Sequence, residues 1–284
     1  MPILFVDASA SVIGTDHRRP GKFATRNNQD AFVVCRSPEL AVAIVCDGCS
    51  GMPHSEVGAR FGANFVARKI IEFHEQLVRR GLSYADTLDG IHVLELIRQS
   101  FIERLMYELT LYPMPQPQAL EQHFLFTIVG CIITPEETIT FSIGDGAIAL
   151  NGVVRNMGPF PGNYPPYVAY GVFGSTHYSR DNPHLKFVVH DRVSTSSVSS
   201  LMIASDGVAE WDKIADCFPA YKKEPVGPLS QFWNQPFIGQ PKLVQMRLNE
   251  VNKERITRHV DGTPFIEAGL LADDTTIVVF ALPK

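Results

Sequence analysis

Three times along this chain an apolar run that reads as a β-strand stops at Asp followed by Gly. The runs are 44–48 (IVCDG), 141–146 (FSIGDG) and 202–207 (MIASDG). A strand delivers its last side chain to one edge of its sheet, and glycine lets the backbone turn sharply or approach a ligand. A fold built on these runs can therefore gather carboxylates at one sheet edge. Asp30, just before a strand-like run, and Asp273-Asp274, just before the last one, add acids at further strand ends. Oxygen donors without His or Cys suit Mg2+ or Mn2+, and like charges gathered so densely require a cation. A lone Asp-Gly is ordinarily a turn. Three of them, with acids flanking the first and last strands, point to a divalent-metal site without naming its substrate.

The strand-like runs are 31–35, 41–46, 124–133, 138–143, 147–150, 185–190, 200–204 and 275–281. Short polar links such as Pro135-Glu136-Glu137 predict hairpins and antiparallel pairing. Two helices are expected between the second and third runs. The first starts at Ser55 as N-cap, with Val57, Phe61, Phe65, Val66, Ile70, Phe73 and Leu77 on one face. The second carries Ile91, Leu94, Ile97, Phe101 and Leu105 and ends before Pro113. Pro113, Pro115 and Pro117 predict a stiff connector that is neither helix nor central strand. Residues 155–184 read as an ordered irregular excursion, and 211–269 as a mixed segment holding a helix from Pro241 to His259. No repeat or linker divides the chain, so residues 1–284 are expected to form one α+β domain, with antiparallel sheets packed together and helices outside.

Composition narrows the function. Of 284 residues, 45% are hydrophobic and 19% charged, which excludes a disordered chain. The net charge is −5 and no basic run exceeds a pair, so neither nucleic acid nor an anionic membrane is an expected partner. The longest mainly apolar stretch, 124–133, is half a membrane span. The start, MPILFVDASAS, lacks Lys and Arg and breaks at Asp7, unlike a signal peptide. Five cysteines without a paired pattern suit free thiols in a reducing cytoplasm. Cys46 and Cys49 have metal-like spacing but no matching second pair, so zinc is not expected.

Taken in order, NQD (28–30), VCDGCSG (45–51), SIGDG (142–146), IASDG (203–207) and LADDTTIVVF (271–280) resemble the PPM-type metal-dependent serine/threonine phosphatases, the protein phosphatase 2C family. Gly14-Thr15-Asp16-His17 and Ser55-Glu56-Val57-Gly58-Ala59 are similar to segments of the bacterial single-domain members. The resemblance implies a four-layer αββα sandwich of two mainly antiparallel sheets flanked by helices. It also implies two Mn2+ or Mg2+ ions with a weaker third, and hydrolysis of phosphoserine or phosphothreonine in a protein substrate phosphorylated by a partner kinase.

Carried over residue by residue, Asp47 matches the carboxylate bridging two metals and Gly48 the carbonyl on the second. Asp206 and Asp273 match the remaining ligands of the first metal, with Asp273 preferred to Asp274 because Thr276 falls three residues later. Asp30 matches the acid that holds water on the metals, and Asp145 with Asp206 the weaker third site. The chain also departs from the family pattern. Gln29 stands where many members have Glu. Thr25 takes the place of the phosphate-binding Arg, which leaves Arg26, Arg18 or Arg19 for that role. Cys49 takes the place of a His that is a candidate general acid, which leaves His17 or His54.

No Cys is followed by Arg at the Cys-x5-Arg spacing of cysteine phosphatases, so no cysteine nucleophile is expected. The excursion 155–184, with Phe160, Tyr164, Tyr167, Tyr170 and Phe173, is expected to act either as a substrate-facing flap or as a self-packed loop without a functional role. The competing readings are a metal-dependent hydrolase of small phosphate esters and a pseudophosphatase that binds phosphoproteins.

Overall fold

The structure, a computed structural model, describes residue 3 and residues 5–18, 27–82 and 90–282. Its strands are β1 (Val6–Val12), β2 (Ala31–Arg36), β3 (Ala41–Gly48), β4 (Phe126–Ile133), β5 (Glu137–Ile143), β6 (Gly146–Leu150), β7 (Val153–Met157), β8 (Val188–Ser194), β9 (Ser200–Ala204), β10 (Arg255–Arg258), β11 (Pro264–Glu267) and β12 (Thr275–Ala281). The helices are α1 (Thr15–Arg18), α2 (Ser55–Arg79), α3 (Gly90–Leu109), α4 (Gln116–His123), α5 (Tyr170–Phe173), α6 (Trp211–Ile214) and α7 (Pro241–Val251).

Two five-stranded sheets result, ordered β1-β12-β9-β6-β7 and β2-β3-β4-β5-β8, with β10 and β11 as a separate hairpin. The pairings among the described residues are antiparallel. Strand β3 shows why the sheets stack. Its side chains alternate between faces, and both faces are apolar. Ala41, Ala43 and Val45 meet Ile203, Val278 and Phe280 of the other sheet. Val42, Ile44 and Cys46 turn to the side covered by α2 and α3. On the far side, Ala8, Met202 and Ile277 pack with Val244 and Leu248 of α7. Helix, sheet, sheet and helix form the four layers expected, and the two sheets enclose one of three apolar clusters. Among the described residues no helix is long and apolar enough to cross a membrane.

Several local expectations need correction. Strand β1 was not foreseen, because its Ala-Ser alternation has little β-propensity; pairing with β12 supplies what the residues lack. The N-cap of α2 is His54, whereas Ser55 is buried in the first turn, donating to the Cys49 carbonyl at 3.0 Å. Val57 is 41% exposed, since the face of α2 turned to the sheet is made of Gly58, Ala59, Gly62, Ala63, Val66 and Ala67. The proline segment does start a helix: Pro115 caps α4 and Pro117 sits in its first turn, where no amide hydrogen is needed. The expected helix from Pro241 ends at Val251, and the β-branched Ile256 and Thr257 enter β10. In the excursion, Tyr167 and Tyr170 are buried in the core, which leaves Tyr164 and Phe173 exposed.

The small-residue face of α2 predicts a measurable cost. A Cβ on Gly58 would lie 2.2 Å from the His123 carbonyl oxygen and 2.7 Å from the Phe124 Cα, both backbone atoms. Overpacking costs about 1–3 kcal/mol, and Ala in place of Gly returns only about 1 kcal/mol of helix propensity. With backbone as the obstacle the first effect should win, and Gly58→Ala is expected to destabilise the protein by about 2 kcal/mol. Urea denaturation midpoints check this, and an equally or more stable variant would contradict the packing argument.

Candidate active site

The acidic strand ends meet where the two sheets join. Asp47 is the penultimate residue of β3 in one sheet, and Asp206 follows β9 in the other. Asp145 sits where the chain crosses from β5 to β6, between Gly144 at φ 88° and Gly146 at φ 132°, dihedrals that favour glycine. One carboxylate oxygen from each of Asp47, Asp145 and Asp206 lies within 4.8 Å of the others. Asp273 is close enough for its charge to be felt at Asp47, Asp145 and Asp206.

Asp273 and Asp274 have separate tasks. The Asp273 side chain is 45% exposed, while that of Asp274 is 3% exposed. Asp274 accepts from the Gly14 amide at 2.7 Å and the Gln29 amide at 2.6 Å, so it ties three chain segments together. His17 is 1% exposed, with Nε2 at 3.2 Å from Asp273 and Nδ1 at 3.7 Å from Asp274. Burial alone would lower its pKa, but the hydrogen bond to Asp273 and the charges of Asp274 and Asp273 outweigh that and raise it.

Asp30 lies beneath the cluster. Ser205, in the motif that ends β9, donates to one of its oxygens at 2.7 Å. Gln29 donates its amide nitrogen to the Met52 carbonyl at 2.8 Å and to Ser55 Oγ at 2.6 Å. Asp30 Oδ1, Asp206 Oδ1 and Gln29 Oε1 remain buried, with no hydrogen-bond donor among the described residues. Buried acceptors without donors are costly. Two of them, on Asp30 and Asp206, belong to carboxylates close enough to feel each other's charge, and oxygen donors of this kind suit a hard cation and its waters.

The electrostatics agree. Burial, then the charges of Asp206, Asp30, Asp273 and Asp145, pushes Asp47 well above the carboxylate range. Asp30 is raised by burial and by Asp274, and Asp206 by burial and by Asp273. Asp145 is raised to about 7 by burial and Asp206, and Asp274 to about 6, chiefly by burial. Among the described residues, the neighbouring charges that act on Asp47, Asp145 and Asp206 are carboxylates.

Of the other residues singled out from sequence, Gly48 donates its amide to the Gln29 carbonyl at 3.2 Å. His54 stacks on His123 with 5.0 Å between ring centroids. Cys49 packs against the apolar cluster that includes Tyr167. Arg26 and Arg19 lie outside the described residues, and Arg18 donates to the Asn252 carbonyl at 3.4 Å. Asn252 was not anticipated. Its side chain donates to the Ile13 carbonyl at 2.6 Å and accepts from the Leu271 amide at 3.3 Å, bracing both segments that carry His17 and Asp273.

Residues 13–245 match the family model for protein phosphatase 2C. The chain belongs to the protein phosphatase 2C family. It is thus a metal-binding phosphatase of the protein-serine/threonine class, and its acidic cluster corresponds to the metal dependence of that family. Solved structures share the fold. The serine/threonine phosphatase Stp1 from Staphylococcus aureus aligns with a TM-score of 0.52 at 12% identity, over 100% of this chain and 97% of that one. A bacterial serine phosphatase aligns at 0.51 and 11%, over 98% of this chain and 97% of its own. A sex determining protein of C. elegans aligns at 0.51 and 14%, over 98% of this chain and 65% of its own. None of the curated proteins matches the chain in sequence. The family match stops before Asp273, so the roles of Asp273 and Asp274 rest on geometry.

Proposed function

We propose that this phosphatase hydrolyses phosphoserine and phosphothreonine in proteins by direct attack of water on phosphorus, at a pair of Mn2+ or Mg2+ ions. The convergence of Asp47, Asp145 and Asp206 to within 4.8 Å is the observation that carries the reading. Asp47 would bridge the two ions, Gly48 would offer its carbonyl to one, and Asp206 and Asp273 would complete the other. Bound there, divalent cations would acidify water toward neutral pH and draw charge from the phosphoryl oxygens.

The chain's own groups do the positioning. Ser205 fixes one oxygen of Asp30 and leaves Oδ1 to orient water. Gln29 has its nitrogen occupied and turns Oε1 to the same purpose. His17, fully covered, would act through Asp273 rather than on the leaving group. Arg26 is the proposed phosphate ligand, and a serine/threonine kinase the proposed source of the substrate.

Phosphate release from a phosphothreonine peptide should require Mn2+ or Mg2+, stop with EDTA and survive thiol alkylation. In a single turnover, 18O from water should enter the phosphate. Absence of the label, or indifference to EDTA, would overturn the reading.

Asp145 bears on the weaker third ion, held with Asp206. Asp145→Ala is expected to raise the Mn2+ concentration for half-maximal rate about tenfold and to slow turnover, with the first two ions retained. A variant with unchanged metal dependence would reduce Asp145 to a residue of the turn.

A further inference from the structure

A cleft of about 520 Å³ opens from the acidic cluster toward α6. Asp145, Asp206 and Asp273 form one end of it. Met157, Pro159, Ile214 and Leu270 are among the apolar residues that line it. Met157, Ile214 and Leu270 are half-buried, so each still offers apolar atoms to a ligand. The volume is in the range of sites that take drug-sized ligands, larger than a phosphoryl group requires. Beyond the reacting phosphate there is room for a neighbouring side chain.

The walls are built to keep their shape. Trp211, at the start of α6, is 1% exposed and donates its indole N–H to the Gly227 carbonyl at 3.0 Å. Phe232 packs edge-on against the same ring, with 5.3 Å between centroids. A Cβ on Gly158, between the lining residues Met157 and Pro159, would lie 3.2 Å from the Asp145 Cβ, so this part of the lining begins directly on a carboxylate of the cluster. A side chain held between these walls therefore lies next to the reacting group.

The charge pattern indicates which side chain. Lys213 and Glu210, the charged residues at the rim, are paired with each other at 2.5 Å. They leave little net charge for a charged ligand to answer. The remaining charge is the acidic end, which repels another acid. Asn156 and Asn163 add only neutral polar groups to the lining, so the apolar lining residues and the self-neutralised rim favour an uncharged, apolar residue.

We propose that this cleft is a specificity subsite for an apolar side chain next to the phosphorylated residue of the substrate, an inference that rests on the phosphatase reading above. The test uses phosphothreonine peptides with Leu, Lys or Asp at single positions within two residues on either side. At one of these positions Leu should give a kcat/KM about tenfold above Asp and Lys, the scale on which a hydrophobic pocket discriminates. Ile214→Lys and Met157→Glu should each reduce that ratio to twofold or less. Ile214 and Met157 are each half-buried against different apolar clusters, so the two variants cover each other. The wild-type comparison needs no variant at all. Equal rates for all wild-type peptides, with metal-dependent hydrolysis of a small aryl phosphate intact, would remove the subsite and leave the phosphatase reading standing. Leu preference surviving in both variants would show that the subsite lies elsewhere. Failure to hydrolyse either peptide or aryl phosphate would overturn the phosphatase reading and the subsite with it.

Discussion

Asp47→Asn and Asp206→Asn are each expected to lower Mn2+- or Mg2+-dependent phosphate release from a phosphothreonine peptide by about a thousandfold or more. Cation catalysis supplies several kcal/mol of transition-state stabilisation, and each ~1.4 kcal/mol is a factor of ten. Asn keeps the volume and one oxygen but removes the charge that holds the ions. Asp47 is the natural target because four other carboxylates act on it, more than on Asp145 or Asp206. The same substitution should stabilise the protein in EDTA, since it removes a buried like charge. Activity falls while metal-free stability rises, a combination that a simple folding defect does not produce. Cys49→Ala should retain most activity. Asn variants within tenfold of wild type at saturating metal would contradict the assignment.

In EDTA, the protein is expected to lose stability as pH rises from about 4 to 7, the reverse of ordinary acid denaturation. Asp145 moves from 3.8 to about 7 and Asp274 from 3.8 to about 6. A carboxyl whose folded pKa is raised keeps its proton longer when folded than when unfolded. Its contribution is complete below the unfolded value and is lost as pH climbs through the folded one. Asp30, Asp47 and Asp206 shift the same way, and the raised pKa of His17 adds a loss of the same sign at higher pH. The lowered carboxylates, Glu72, Glu95, Glu250 and Asp261, oppose this only at the acid edge of the window, and the lowered His74, His123 and His190 oppose it near pH 6, against five raised carboxyls and His17. The melting midpoint in EDTA should be higher at pH 5.5 than at pH 7.5 by roughly 5 °C. Mn2+ at a hundred times its dissociation constant should restore about 2.7 kcal/mol at pH 7.5 and close most of the gap. A metal-free midpoint that rises with pH over this window would show that the carboxylates are not mutually strained.

Residues whose chemistry and local pattern coincide were legible in the sequence. Asp47, Asp145 and Asp206 each end or follow an apolar run, so their strand-edge placement followed from the run itself. The four layers were legible through the resemblance, while the residues alone gave strands and external helices. What was hidden depends on contacts made by folding. The Gly14 amide reaches Asp274 from 260 residues away in sequence, and no local pattern separates that buried anchor from the exposed Asp273 beside it. Strand β1 has strand-forming residues only at its ends, Val6 and Val12, and its Ala-Ser centre depends on pairing with β12. On α2, Val66, Ile70 and Leu77 are buried as expected and only Val57 was misplaced, because Gly58 and Gly62, which permit close approach to the sheet, carry no hydrophobic signal. Asn252 looked like any polar residue near a helix end.

The pairing of β1 with β12 also sets a timetable. Val6 lies opposite Ala281, and β12 is the strand between β1 and β9. During synthesis the earliest strand has no neighbour in its sheet until the latest one emerges, and Asp47 waits for Asp206 and Asp273 in the same way. Pairings this distant in sequence are slow to close. On the reading proposed above, a nascent chain that still lacks Asp206 and Asp273 is expected to be inactive, even with most of its strands already made.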